Sequence, residues 1–178
     1  MIAINKTRWV LTTGSLLIIW ALVTPLAVAQ PKAEIAASAS YFRNGIKNGT
    51  NLTGWAVNPD FNFSKNLALA FDVTGNHADV GGYTASIYGA MAGPRFKYRT
   101  DHLTFFTHGL LGGEAYHIST YTQGAFALGF GGGIDVRATD RFSVRIFQLD
   151  SIHDVIHGYW GHNVHATAGV VVKLGSLE

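Results

Sequence analysis

The sequence predicts an all-β fold, an eight-stranded antiparallel up-and-down transmembrane β-barrel preceded by a cleavable signal peptide. Three observations carry that expectation. Of 178 residues only 13% are charged, while 48% are hydrophobic and 12% aromatic, against about a quarter charged in an ordinary soluble domain. From Glu34 onward apolar residues recur at every second position, which is the period of a strand. The first 29 residues have the three-part form of an export leader.

That leader comes first in the chain. Lys6 and Arg8 form its positive end, the run from Trp9 to Val23 its apolar core, and Ala27-Val28-Ala29 an A-x-A cleavage site. Residues 1–29 are therefore read as a signal peptide and 30–178 as the barrel domain, with cleavage before Gln30. A spanning helix needs about 20 apolar residues, and this run is shorter and broken by Thr12, Thr13, Gly14 and Ser15. Loss of Lys6 and Arg8 takes the Lys and Arg count from 13 to 11, equal to the Asp and Glu count. A neutral mature chain offers no basic footprint for a nucleic acid. The absence of cysteine excludes disulfides and thiolate metal sites.

Eight alternating runs follow. The first two span Ile35 to Phe42 and Leu52 to Phe63. In LALAFDV, Leu67, Leu69, Phe71 and Val73 share one face, and Ala68, Ala70 and Asp72 the other. Tyr83 to Tyr98 and Leu103 to Tyr116 come next. In GAFALGFGGGIDVRA, Phe126, Leu128, Phe130, Ile134 and Val136 alternate with Ala127, Gly129, Gly131, Gly133, Asp135 and Arg137. Phe142 to Ser151 is the seventh. The last sets Val164, Ala166, Ala168, Val170, Val172 and Leu174 against His165, Thr167, Gly169, Val171 and Lys173. One face is bulky and apolar, the other small or charged. A soluble sandwich would wet its polar face with a mixed Lys, Glu and Thr surface. Small residues with isolated charges suit the nearly filled interior of an eight-stranded barrel whose bulky face meets lipid.

Face parity makes the turns testable, because cross-strand neighbours lie on the same side of a sheet. A turn at Thr139-Asp140-Arg141 places Asp135 opposite Arg145, and one at Ser64-Lys65-Asn66 places Phe61 opposite Leu69. Taking Tyr83, Ala85, Ile87 and Met91 as outward puts them out of phase with Phe96 and Tyr98, so a bulge is expected at Gly93-Pro94. The inward charges are then Asp60, Asp72, Arg95, Lys97, Glu114, Asp135, Arg137, Arg145 and Lys173, a nearly balanced set read as a structural ion network. The short turns gather Phe61, Phe63, Phe96, Tyr98, Phe105 and Phe142 at one end, as in an interfacial girdle on the periplasmic side. Longer connections (Arg43–Asn51, Gly75–Gly82, His117–Gln123 and His153–His162) are expected at the other, external end.

With its leader, eight strands and short turns at one end, the chain resembles the small outer-membrane barrels of the OmpA-transmembrane-domain and OmpX type. It looks most like the porin-family "outer membrane protein beta-barrel domain" proteins. GAMAGPRFKYR, GFGGGIDVRATDRFSVRIFQLD and HATAGVVVKLG carry the likeness. In the closing strand Thr167, Gly169, Val172 and Leu174 match the assembly signal of such barrels, although the strand ends on Leu174 rather than a terminal aromatic. The resemblance implies outer-membrane lipid and the outer-membrane assembly machinery as partners, export by the general secretory route, a monomer, and an unidentified surface ligand. It implies a structural, envelope-integrity or surface-contact role with at most a narrow pore. A small-solute channel and a secreted lipocalin-like barrel binding an apolar ligand are the alternatives.

Two chemical patterns compete with that reading. His117-Ile118-Ser119 is similar to the His-x-Ser element of outer-membrane lipid A deacylases, but no acid lies between Glu114 and Asp135 to orient the histidine. No catalytic residue is assigned and no enzyme is expected. His153, His157, His162 and His165, with Asp154, have the chemistry of transition-metal ligands. Without a helix to hold His153 and His157 on one face, they read as loop histidines, and neither metal nor cofactor is expected. GFGGG lacks the Lys-Ser/Thr and helix of a phosphate loop and reads as small inward residues.

Overall fold

A computed structural model describes residues 31–45, 49–156 and 158–176. The leader expected at 1–29, and the cleavage point before Gln30, lie outside the described residues. Eight strands follow one another: β1 (Ala33–Asn44), β2 (Thr50–Asn62), β3 (Leu67–Val80), β4 (Tyr83–Arg99), β5 (Leu103–Ile118), β6 (Tyr121–Arg137), β7 (Phe142–Ile156) and β8 (Tyr159–Leu174). Each pairs antiparallel with the next, and β8 pairs with β1, so the sheet closes. Closure leaves no unpaired edge.

The strands form where alternation predicts, but at one end they run further. The stretches expected as external loops at Gly75–Gly82, His117–Gln123 and His153–His162 are largely strand. β3 turns into β4 through Gly81 and Gly82 alone, with φ of 60° and 85°. A turn with positive φ at both central residues suits glycine, which adopts it without strain. β5 joins β6 through Ser119 and Thr120. The polar residues of these stretches, including His77, Asp79, Thr122 and Gln123, thus ride on paired strands. We call this the upper end. The lower end carries the expected short turns, where Phe61 pairs Leu69 and Val136 pairs Val144.

Parity corrects the expectation in two strands. β4 has no bulge at Gly93-Pro94: its register with β3 runs unbroken from Tyr83 to Phe96. Ile87 and Met91 are buried inside the barrel, in phase with Arg95 and Lys97. The interior accepts bulky apolar groups here, so hydrophobicity misassigned their face. The irregularity lies instead in β7, whose register with β8 shifts between Arg145 and Gln148. Ile146 and Phe147 both face outward, and every later residue of β7 changes sides.

The outward surface is an apolar band. On β4 it runs eleven residues from Tyr88 to Tyr98, and on β5 from Phe105 to Ala115, before polar Ser86 and His117. A tilted strand needs about 9–11 residues to cross a bilayer core. Leu111, Phe130, Ile146 and Leu149 are each more than half exposed within the band. Aromatics rim it below (Phe61, Phe63, Phe96, Tyr98) and above (Tyr41, Trp55, Tyr88, Phe126). Among the described strand residues the outward charges are Arg43 and Asp79, both near the upper end.

Candidate functional site

The interior holds two polar zones of different character. In the lower one each buried carboxylate has a cationic partner. Arg95, fully buried, donates from Nη1 to both oxygens of Asp60 at 2.8 and 2.9 Å. Lys97 Nζ lies 2.7 Å from Asp60 and also bonds Glu34, which Arg99 approaches at 3.3 Å. Arg145 grips Asp135 through Nε at 2.9 Å and Nη2 at 3.2 Å, while its Nη1 donates to Gln148 Oε1 at 2.7 Å. The Phe106 ring takes the Arg95 and Arg145 guanidiniums at 4.6 and 4.5 Å from its centroid, a pair of cation–π contacts. The Asp135–Arg145 pair is the one parity predicts, and β6–β7 pairing sets the two residues opposite each other.

The upper zone is different. Asp72, Glu114, Asp150 and Asp154 are buried, and none has a Lys or Arg ion pair among the described residues. Their partners are histidine, tyrosine and amide groups. His108 Nδ1 accepts from Arg95 Nε at 3.2 Å, since arginine only donates, so the ring proton sits on Nε2 and goes to Asp150 Oδ1 at 2.8 Å. Tyr116 Oη lies 2.8 Å from Glu114 and 2.5 Å from Asp154. Gln148 Nε2 donates to Asp150 Oδ2 at 2.7 Å and Asp72 Oδ2 at 3.3 Å. Phe42, Leu52, Ile87, Met91, Leu110 and Ile152 pack around this zone as an apolar cluster.

Of the expected inward charges, Asp60, Asp72, Arg95, Lys97, Glu114, Asp135 and Arg145 are buried, while Arg137 and Lys173 are only half-buried near the lower rim. Glu34, Asp150 and Asp154 join them. The interior is therefore not balanced but acid-rich above. Parity counted from Arg145 sends Asp150 and Asp154 outward; the β7 bulge sends them in. Thr167 and Gly169 face inward beside Ser40 and Ser38 of β1, while Leu174 is exposed on the outer face.

The histidines separate. His153 and His162 are paired across β7 and β8 with ring centroids 4.7 Å apart, on the outer face beside Ser151. His165 points inward, buried at 1% exposure, and His157 lies outside the described residues. His117 Nδ1 bonds Thr122 Oγ1 at 2.8 Å, and Ser119 occupies the hairpin turn with φ of 55°. His117 therefore bonds a threonine on the next strand rather than Ser119 of the His-x-Ser pattern.

A closed eight-stranded barrel with charges inside and an apolar belt outside defines the class of small β-barrels built like those of outer membranes. Solved structures of that class are similar to this chain. Neisserial surface protein A (NspA) matches at 14% identity, covering 80% of this chain and 97% of its own, with a TM-score of 0.65. Ail, the attachment invasion locus protein of Yersinia pestis, matches at 12% identity over 80% and 99%, with a TM-score of 0.55. The N-terminal β-barrel domain of Pseudomonas aeruginosa OprF matches at 15% identity over 79% and 98%, with a TM-score of 0.52. No family model and no curated protein matches the sequence. The likeness is one of fold, and the chain has the fold of the small outer-membrane barrels.

Proposed function

We propose that this chain is an outer-membrane protein with a structural or surface-contact role and no open channel. The observation that carries the reading is the inversion of an ordinary soluble protein, with ion pairs in the core and a continuous apolar belt outside. An exposed apolar surface of that extent marks an interaction with membrane or protein. A belt closed around a barrel and rimmed by aromatics fits lipid. A lipocalin-like barrel would turn its bulky residues inward, as this one does for the upper cluster and Phe106 while the outer belt keeps the rest.

In this reading the leader is removed before Gln30, and the mature barrel reaches the outer membrane by the general secretory route. Thr167, Gly169, Val172 and Leu174 of β8, the strand that closes on β1, act as the signal to the assembly machinery. Filling of the lumen by the lower ion network and the apolar cluster favours a plug over a pore. No catalytic role is assigned to His117. The upper rims of the strands, with His77, Asp79, Thr84 and the His153–His162 pair, form the surface offered to a partner outside the cell. Planar-bilayer recording of the purified barrel tests the closed interior. Silence or rare small steps are expected; a large, strongly ion-selective conductance would establish the channel alternative instead.

A further inference from the structure

We propose that Asp72, Asp150 and His165 form a binding site for a divalent transition-metal ion inside the barrel. They come from β3, β7 and β8 and offer one ligand atom each, all within 4.8 Å of one another. All three are buried, at 1%, 3% and 1% exposure. Asp72 Oδ1 and His165 Nδ1 are buried without any hydrogen-bond partner. Such groups are normally satisfied by protein, water or an ion.

The surroundings prepare His165 as a ligand. Ser40 donates its one hydroxyl proton to Asn76 Oδ1 at 2.6 Å, so its oxygen accepts from His165 Nε2 at 2.7 Å. That bond puts a ring proton on Nε2, so Nδ1, which faces Asp150 Oδ2 at 3.6 Å, is the nitrogen through which the neutral ring would coordinate a metal ion in place of a proton. A ligating histidine whose other nitrogen is held by an oxygen is the usual second layer of a metal site. Gln148 Nε2 holds Asp72 Oδ2 and Asp150 Oδ2 side by side, and His108 fixes the remaining Asp150 oxygen. One imidazole with two carboxylates suits zinc, manganese or iron rather than a soft thiolate-seeking ion. The charge points the same way. This zone contains four buried carboxyl groups and no Lys or Arg ion pair among the described residues, so a cation would offset the cost of burying them.

Zinc chloride is the probe. The chain is refolded in detergent with zinc present, freed of loose metal by gel filtration, and assayed for zinc by mass spectrometry, with affinity measured by competition against a chelator dye. One zinc per folded chain is expected. Asp72→Asn and His165→Gln should each weaken binding at least tenfold, whereas the outer-face double variant His153→Ala/His162→Ala should leave it unchanged. Should either interior variant fail to fold, cobalt(II) bound to the unaltered chain gives a second readout, with protein-ligated visible absorption expected. Absence of zinc, loss of zinc in the outer-face variant, binding indifferent to both interior changes, or a cobalt spectrum identical to the hydrated ion would overturn the site.

Discussion

Replacing Arg145 by methionine tests the lower ion network most severely. The two side chains have similar length, so the change removes charge and donors more than volume. Arg145 is 2% exposed and is the sole ion-pair partner of Asp135 among the described residues. Its loss strands the Asp135 carboxylate and leaves Gln148 Oε1 without its 2.7 Å donor. Removing one partner of a buried pair typically costs about 3–5 kcal/mol. Asp135 retains 7% exposure, so the lower part of that range applies, about 3 kcal/mol, or roughly a hundredfold in the folding equilibrium. Methionine beside a neutral amide removes the stranded charge, so Asp135→Asn/Arg145→Met should recover most of the loss and sit within about 1.5 kcal/mol of the parent. The assay is urea unfolding of the vesicle-inserted barrel, followed by tryptophan fluorescence and by folded-form migration on a gel. A single variant within about 0.5 kcal/mol of the parent, the range of a neutral surface change, would refute the network. So would a double variant no better than the single.

Two further substitutions are checked in the same unfolding assay. Leu111→Arg, on the outer belt at 60% exposure, should cost about 2–4 kcal/mol in a bilayer; in a water-facing surface it would cost almost nothing. Gly133→Ala should destabilise by about 1–3 kcal/mol through overpacking, because a Cβ there would sit 2.7 Å from Phe106 Cζ and 2.9 Å from Gln148 Cα. Gly124→Ala is the control, with nothing within 4 Å of the added carbon. Mass spectrometry of the exported protein should give a chain beginning at Gln30, and a retained leader would contradict the assigned cleavage.

The strand count, the closing pair and the lower turns were legible because alternation is a local signal and turns of known length preserve parity. Asp135 opposite Arg145 follows from those rules alone. Hydrophobicity alone sends Ile87 and Met91 outward, whereas the upper interior holds an apolar cluster around Leu110 and Tyr116 beside its buried carboxyl groups. Asp150 and Asp154 were hidden by a bulge at Ile146-Phe147, two apolar residues with no glycine or proline to mark it. Gly93-Pro94 has the composition of a parity break, but proline there only withholds a donor from an otherwise regular ladder. His165 stands beside His162 in sequence, while its spatial neighbours Asp72 and Asp150 come from β3 and β7. Only the closure of the barrel brings those strands' inner faces together. The upper hairpins have the sequence of loops because their residues are polar. They remain paired strands that extend past the apolar belt.

The central claim is that the apolar belt on the outer face of the barrel meets lipid. Outer-membrane fractionation of the expressed mature chain, with detergent extraction and gel migration before and after boiling, tests it most directly. The account predicts recovery with outer membranes, a requirement for detergent, and a folded form whose mobility changes on heating. A soluble monomer obtained without detergent would contradict it.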